Sequence, residues 1–132
     1  MSPKDIVNKM YKNDPFSQWL NIKFIHIDKG TCKVSLVIEE KMTNGFHIAH
    51  GGICYSLADS CLAFAANTLG HIAVTKKTSV KYIKKANIAD ELIAIATPMK
   101  ENKFYTVEIV NQANEKIAHF EGEVHYTSQS WS

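Results

Sequence analysis

Arginine is absent from this 132-residue chain, and all fifteen of its cationic residues are lysines. The planar guanidinium group forms paired hydrogen bonds to a guanine edge or to a carboxylate, so bidentate recognition by arginine is excluded. The net charge of +2 is also too small to indicate binding to nucleic acid. We therefore expect no nucleic-acid partner.

Paired cysteine motifs are absent too. The three cysteines are an odd number with no CxxC spacing, which predicts neither a disulfide framework nor a zinc site and fits a reduced, cytoplasmic compartment. Cys54 and Cys61 lie two turns apart on one predicted helix, so we expect small core residues and not nucleophiles. The six histidines form no HExxH motif or Cys/His cluster, so no metal or other cofactor is expected.

The chain has little that indicates export or a membrane span. Residues 1–14 are polar and lack the apolar core of a signal peptide. Residues 51–68 are long enough to cross a bilayer, but they are only weakly hydrophobic and would carry Asp59 at mid-depth, at a cost of about 2.5–3.5 kcal/mol on the insertion scale. We expect no membrane association.

A long helix dominates the middle of the chain. Residues 53–68 are nearly all apolar or small and contain no proline or glycine, and Gly51 and Gly52 stand where the helix would begin. Because apolar residues surround the helix axis, the sequence predicts a central helix enclosed by other structure.

Strand patterns flank this helix on both sides. An N-terminal helical segment is expected at about residues 3–20, and the whole chain, residues 1–132, is predicted to form one domain. Alternating apolar and polar residues predict strands at 24–27, 32–38, 72–82, 92–96, 104–110 and 117–126. This order indicates an α+β fold in which a mostly antiparallel sheet wraps around a long helix.

Asp59 is the only charged residue of the central helix. The residues one turn away on either side include no cation, so an ion pair within the helix does not explain the carboxylate. A buried, unpaired carboxylate is costly, which makes Asp59 a candidate site residue. The structural alternative is a carboxylate at a solvent window, or one satisfied by tyrosine and serine hydroxyls.

The helix start is a second candidate. The first-turn N–H groups at Gly51 and Gly52 lack intrahelical acceptors and can bind a carbonyl oxygen, although a tight entry turn also explains two glycines. Gly51 and Asp59 are eight residues apart, about 12 Å along a helix, so one copy cannot bring both to one carbonyl. Two antiparallel copies in a two-fold dimer can, which predicts a homodimer with two equivalent sites.

These residues resemble a known family. Met42-Thr43-Asn44-Gly45, then His50-Gly51-Gly52, then Ser56-Leu57-Ala58-Asp59 and Asn67, resemble the signature of the hot-dog-fold acyl-CoA thioesterases, specifically the phenylacetate-degradation (PaaI-type) branch. The resemblance implies a sheet wrapped round the helix, a dimer with a continuous sheet, and commonly a homotetramer. It also implies hydrolysis of acyl-CoA thioesters without a metal.

The resemblance implies roles for individual residues. Asp59 corresponds to the catalytic carboxylate, acting as general base or nucleophile, and the Gly51 amide to the group that polarises the thioester carbonyl. Asn44 corresponds to a residue near the bound thioester, and Asn13 to an asparagine at the edge of the site.

His50, Gly52 and Ser60 complete the expected substrate-binding set. His50 is a possible base, but in this motif it looks structural, holding the loop and the helix entry. Ser60, like Ser56, could hydrogen-bond Asp59 or the attacking water, or could bond back to the helix backbone.

A lysine-rich segment follows the helix. Lys81, Lys84 and Lys85 are the candidates to bind the phosphates of CoA as point charges, and Lys76 and Lys77 lie nearby. The alternative is a merely solvated strand face.

The sequence therefore predicts an acyl-CoA thioesterase acting on a medium-sized or aromatic acyl group, such as a (hydroxy)phenylacetyl group. Phe46, Tyr55 and Phe64 are possible pocket walls, or ordinary core residues. A non-catalytic acyl-CoA-binding sensor is the alternative from another class. A hot-dog hydratase is the alternative among enzymes, but it would need a differently placed His/Asp pair.

Overall fold

The N-terminal segment forms two helices in a computed structural model that describes residues 1–132. Helix α1 spans Pro3–Lys12 and begins with a capping box between Ser2 and Asp5. Helix α2 spans Pro15–Trp19, and the Asp14 side chain accepts the backbone N–H of Ser17 at its start. In both helices proline occupies the first turn, where its missing N–H has no cost.

Six strands form one sheet. They are β1 Lys23–Asp28, β2 Thr31–Val37, β3 His71–Tyr82, β4 Glu91–Pro98, β5 Phe104–Val110 and β6 Lys116–Ser130. The sheet order is β1-β2-β4-β5-β6-β3, and every neighbouring pair is antiparallel. All six predicted strands are confirmed, with bounds that shift by up to four residues. The α+β fold is confirmed with them.

Helix α3 spans Gly51–Asn67 and packs against one face of this sheet. Its buried residues join the inward-facing side chains of the strands in one hydrophobic core. Gly122 of β6 lies directly beneath Leu62 of α3, and a side chain at this position would collide with Leu62. The helix and the sheet are therefore in close contact at the middle of α3.

Helix α3 is central, as expected, but a single chain does not bury it equally on all sides. One side of the helix is only partly buried, and its residues recur every three or four positions, so they share a face. We call this face the open stripe; it consists of Gly51, Gly52, Tyr55, Ser56, Asp59, Ser60 and Ala63. Small side chains dominate the stripe, which is why the sequence pattern did not distinguish it from the core.

Strand β3 lies at one end of the sheet order and pairs only with β6, so its outer edge has no partner strand within the chain. It follows α3 directly in the chain, and α3 packs on it. No helix of the structure is both long and apolar enough to cross a membrane.

Candidate active site

The start of α3 is held by His50. His50 is the N-cap residue, and its Nδ1 atom accepts the backbone N–H of Gly52 at 2.8 Å. This bond satisfies one of the first-turn donors that a helix leaves unpaired. The imidazole is thus engaged with the backbone at the helix entry.

Gly51 is fixed from the other side by Tyr82, the last residue of β3. The Tyr82 hydroxyl donates to the Gly51 carbonyl oxygen at 3.0 Å. A Cβ atom at Gly51 would lie 3.2 Å from the Tyr82 ring and hydroxyl, so the close approach of this ring favours glycine. The Gly51 N–H itself has no acceptor in the protein and remains available to a ligand.

A cavity of about 310 Å³ opens beside this helix start. It contains four residues of the predicted site, namely Asn44, Gly51, Lys84 and Lys85, together with Tyr82 and Cys54. The side-chain oxygen of Asn44 accepts the backbone N–H of Phe46 at 2.9 Å and so shapes the preceding loop. The remaining lining residues are Ile48, Ala49, Ile83 and Ala86.

The three candidate lysines do not lie together. Lys84 and Lys85 line the cavity, whereas Lys81 is an exposed β3 residue outside it. Lys84 also forms an ion pair with Glu115, and this contact is the main reason why the pKa of the Glu115 carboxyl is lowered. Lys85 forms no ion pair within the chain.

Asp59 lies on the open stripe, two turns beyond the cavity. Its Oδ1 atom accepts a hydrogen bond from the Thr75 hydroxyl at 2.9 Å, and no cationic group pairs with it. The carboxylate is only partly exposed. Sequence reasoning missed Thr75; the available signal was a hydroxyl residue among the inward-facing positions of the strand that follows the helix.

The Ser60 hydroxyl has a partner that the sequence did not predict. It bonds neither to Asp59 nor to the helix backbone but to the hydroxyl of Ser17 on α2, at 2.9 Å. Ser17 in turn donates to the Asp14 carboxylate at 2.6 Å. The reason is that Ser17, a fully buried residue of α2, lies opposite Ser60.

Asn13 lies apart from the cavity. Its side-chain amide donates to the Lys9 carbonyl at 3.0 Å and caps the end of α1, and the residue is exposed. The structure therefore does not bring Asn13 together with Gly51 within one chain.

The three aromatic candidates for pocket walls have different surroundings. Phe64 is a core residue that packs edge-to-face on Phe24. Tyr55 packs on Phe120, and its hydroxyl bonds to that of Thr78 at 2.6 Å. Phe46 is 82% exposed on the loop before α3.

Cys54 is the one thiol that lines the cavity. Burial raises its pKa to about 11, so the thiol remains protonated at neutral pH. Because the thiolate is the nucleophilic form, Cys54 is unsuited to attack a carbonyl. The three cysteines are all free and buried, as expected for core residues.

A long helix packed on an antiparallel six-stranded sheet, with its amino end at a cavity, defines a hot-dog fold. The solved structure of the Escherichia coli PaaI protein from the phenylacetic acid degradation operon superposes with a TM-score of 0.93 at 31% identity, covering 97% of this chain and 95% of that one. A Streptococcus mutans protein solved with acetyl CoA matches with a TM-score of 0.79 at 23% identity, covering 83% and 91%.

Sequence comparison identifies the family. Residues 46–118 match the thioesterase superfamily. The acyl-coenzyme A thioesterase PaaI of Escherichia coli is 34% identical over 119 residues, which are 88% of this chain and 85% of the relative. The chain belongs to the thioesterase superfamily and, within it, to the PaaI-type branch of the hot-dog fold, as the sequence motifs predicted. It is a thioester hydrolase.

Proposed function

We propose that this thioester hydrolase cleaves acyl-CoA thioesters, with Asp59 as the carboxylate that acts on the thioester carbon or on the attacking water. The observation that carries this assignment is the Asp59 side chain itself. It lies on the open stripe of an otherwise uncharged helix, without a cation, and the Thr75 hydroxyl holds one of its oxygens at 2.9 Å. A carboxylate that is oriented but not neutralised suits a general base or nucleophile.

The second group is the backbone N–H of Gly51. It lies at the positive end of the α3 dipole and has no acceptor in the protein, which supports a role in polarising the thioester carbonyl. A positioned base contributes about 10²–10⁴-fold and one oxyanion donor about 10²–10³-fold. Since a thiolate is a good leaving group, these two contributions suffice without a metal.

Neither group can complete the site within one chain. Gly51 and Asp59 are about 12 Å apart along α3, which exceeds the reach of an aspartate side chain. Two antiparallel copies of α3 would place Gly51 of one subunit opposite Asp59 of the other. The open stripe and the unpaired edge of β3 support such a homodimer, because both are surfaces that a second copy can cover.

The cavity beside Gly51 is the proposed entry for CoA. Lys84 and Lys85 at its wall suit phosphate groups, and the apolar lining residues suit a pantetheine arm. The names of the relatives support CoA as the carrier, since one is an acyl-coenzyme A thioesterase and another was solved with acetyl CoA. The Escherichia coli neighbour comes from a phenylacetic acid operon, which supports an aromatic acyl group.

The proposal is tested by measuring thiol release from a panel of acyl-CoAs that includes acetyl, medium-chain, phenylacetyl and hydroxyphenylacetyl thioesters. We expect hydrolysis of a medium-sized or aromatic member, unchanged by EDTA. Asp59→Asn should lower kcat by about 10²–10⁴-fold while the protein stays folded.

Three results would contradict parts of this proposal. Wild-type rates in Asp59→Asn would remove Asp59 from the mechanism. Loss of activity with EDTA would contradict metal-free hydrolysis. Tight CoA binding without hydrolysis of any panel member would favour the acyl-CoA-binding alternative.

A further inference from the structure

The Gly51 N–H, the proposed hydrogen-bond donor to the thioester carbonyl, belongs to a pair of consecutive glycines. It is therefore flexible unless something outside the helix restrains it. Glycine has the widest range of backbone conformations of any residue, and the first turn of a helix is its least restrained part. A donor that stabilises a developing oxyanion works only if it is already in place when the charge forms. The Gly51 N–H therefore needs a restraint.

The structure supplies two bonds to adjacent atoms of this segment. His50 Nδ1 accepts the N–H of Gly52 at 2.8 Å, which closes a ring through the peptide that carries the Gly51 N–H. The Tyr82 hydroxyl donates to the carbonyl oxygen of Gly51 at 3.0 Å. The peptide group between Gly51 and Gly52 is thus held at both its N–H and its carbonyl end.

The two glycine N–H groups at the helix start differ in whether they are free. The N–H of Gly52 donates to His50, while the N–H of Gly51 has no acceptor. Of the two glycine amides at the helix start, only that of Gly51 is free to meet a ligand. The same arrangement that fixes the segment also selects its donor.

We infer that Tyr82 is a positioning residue for hydrolysis: its hydroxyl, together with His50, fixes the Gly51–Gly52 peptide so that the free Gly51 N–H is aimed at the thioester carbonyl. This inference rests on the proposed role of Gly51. Tyr82 is well suited to it, because it ends a strand of the sheet and its ring packs on the Gly51 backbone. Burial raises the pKa of Tyr82, so its hydroxyl stays a donor across the neutral range.

The hydroxyl contributes little to folding on this view. Tyr82 is about half exposed, and a carbonyl in the first turn also accepts the helix amide four residues later, so it keeps a partner when the hydroxyl is removed. Tyr82→Phe therefore separates positioning from stability. It keeps the ring that lines the cavity and deletes only the bond to Gly51.

Tyr11→Phe is the matched control. Tyr11 lies on α1, away from the cavity, and its hydroxyl also donates to a backbone carbonyl, that of Ile22, at 3.2 Å. The measurements are kcat and KM for the acyl-CoA that the wild-type protein hydrolyses fastest, the affinity for CoA alone by calorimetry, and thermal unfolding.

We expect Tyr82→Phe to lower kcat and kcat/KM together by about threefold to tenfold, the effect of losing one net hydrogen bond. The two constants fall together because the positioned Gly51 N–H stabilises the transition state and not the bound substrate. KM, CoA affinity and the pH profile should be unchanged, and Tyr11→Phe should leave kcat unchanged. A wild-type kcat in Tyr82→Phe would overturn the inference while leaving the thioesterase proposal intact. So would weaker CoA binding with unchanged kcat, which would make Tyr82 a wall of the binding cavity. Absence of any hydrolysis by the wild-type protein would instead overturn the proposed function, and the inference with it.

Discussion

Thr75 and Asp59 are sixteen positions apart in the chain, yet their side chains are joined by a 2.9 Å hydrogen bond. The Thr75 hydroxyl has one proton, which it donates to Oδ1 of Asp59 on the open stripe. Such a bond limits the rotation of the carboxylate and leaves its second oxygen free. At this scale the proposed site consists of one oriented acid, Asp59, and one free backbone donor, the Gly51 N–H.

Thr75→Val should lower kcat by about threefold to tenfold, because Asp59 keeps its charge but loses its orienting bond. Thr75→Ser restores a hydroxyl and should keep kcat near the wild-type value. Steady-state kinetics on the preferred acyl-CoA checks both variants. Thr78→Val is the control. It removes a hydroxyl from the same strand, but this hydroxyl bonds to Tyr55 and not to Asp59. Equal rates for Thr75→Val and wild type would show that Asp59 needs no orientation from β3.

At the scale of elements, α2 and α3 are joined by a chain of hydroxyls. Ser60 of α3 bonds to Ser17 of α2, and Ser17 bonds to the Asp14 carboxylate. Because the single proton of Ser17 is donated to Asp14, Ser60 must be the donor to Ser17. This chain fixes the short helix α2 beside the residue that follows Asp59.

Ser17→Ala should lower the free energy of unfolding by about 1–3 kcal/mol, because it leaves the half-buried Ser60 hydroxyl and one Asp14 oxygen with fewer partners. Denaturant unfolding followed by circular dichroism measures the change. Ser56→Ala, on the open stripe and without a hydrogen bond from its side chain, should change stability by less than about 0.5 kcal/mol. Similar effects of both substitutions would mean that the contact between the helices contributes nothing specific.

At the scale of the whole molecule, the proposed homodimer would cover the open stripe and the β3 edge. Subunit mixing tests whether the sites are shared. Asp59→Asn removes the acid, and Gly51→Pro removes the amide donor. Proline is tolerated at a first helical position after an extended residue, and His50 has that conformation (φ −61°, ψ 139°). Its Cβ atom would lie 3.2 Å from the Tyr82 ring, so this half-exposed ring must shift by a few tenths of an ångström.

Each variant alone should be nearly inactive. Unfolding together and refolding of equal amounts should restore about a quarter of the wild-type activity, since half of randomly formed dimers are hybrids and each hybrid has one intact site. If dimers shown to contain both variants recover no activity, Asp59 and the Gly51 N–H must act within one chain. A wild-type protein that is monomeric by light scattering at assay concentration would contradict the shared site directly. The homotetramer implied by the family stays a prediction.

Local sequence patterns determined the elements of this protein. A long run of apolar and small residues without proline or glycine predicted α3. The alternation of apolar and polar side chains predicted all six strands, because it follows directly from strand geometry. The lone charge of Asp59 and the glycines at the helix start marked the two ends of the candidate site. The motif around them identified the family, which the comparisons confirmed.

Only the tertiary structure decided which groups meet. The bond from Thr75 to Asp59 and the bond from Tyr82 to Gly51 both depend on how β3 lies along α3. The Ser17–Ser60 contact depends on how α2 packs, and the open stripe on how far the sheet extends around the helix. Periodicity specifies which side of an element faces inward, but it carries no information about the register between elements that are distant in the chain.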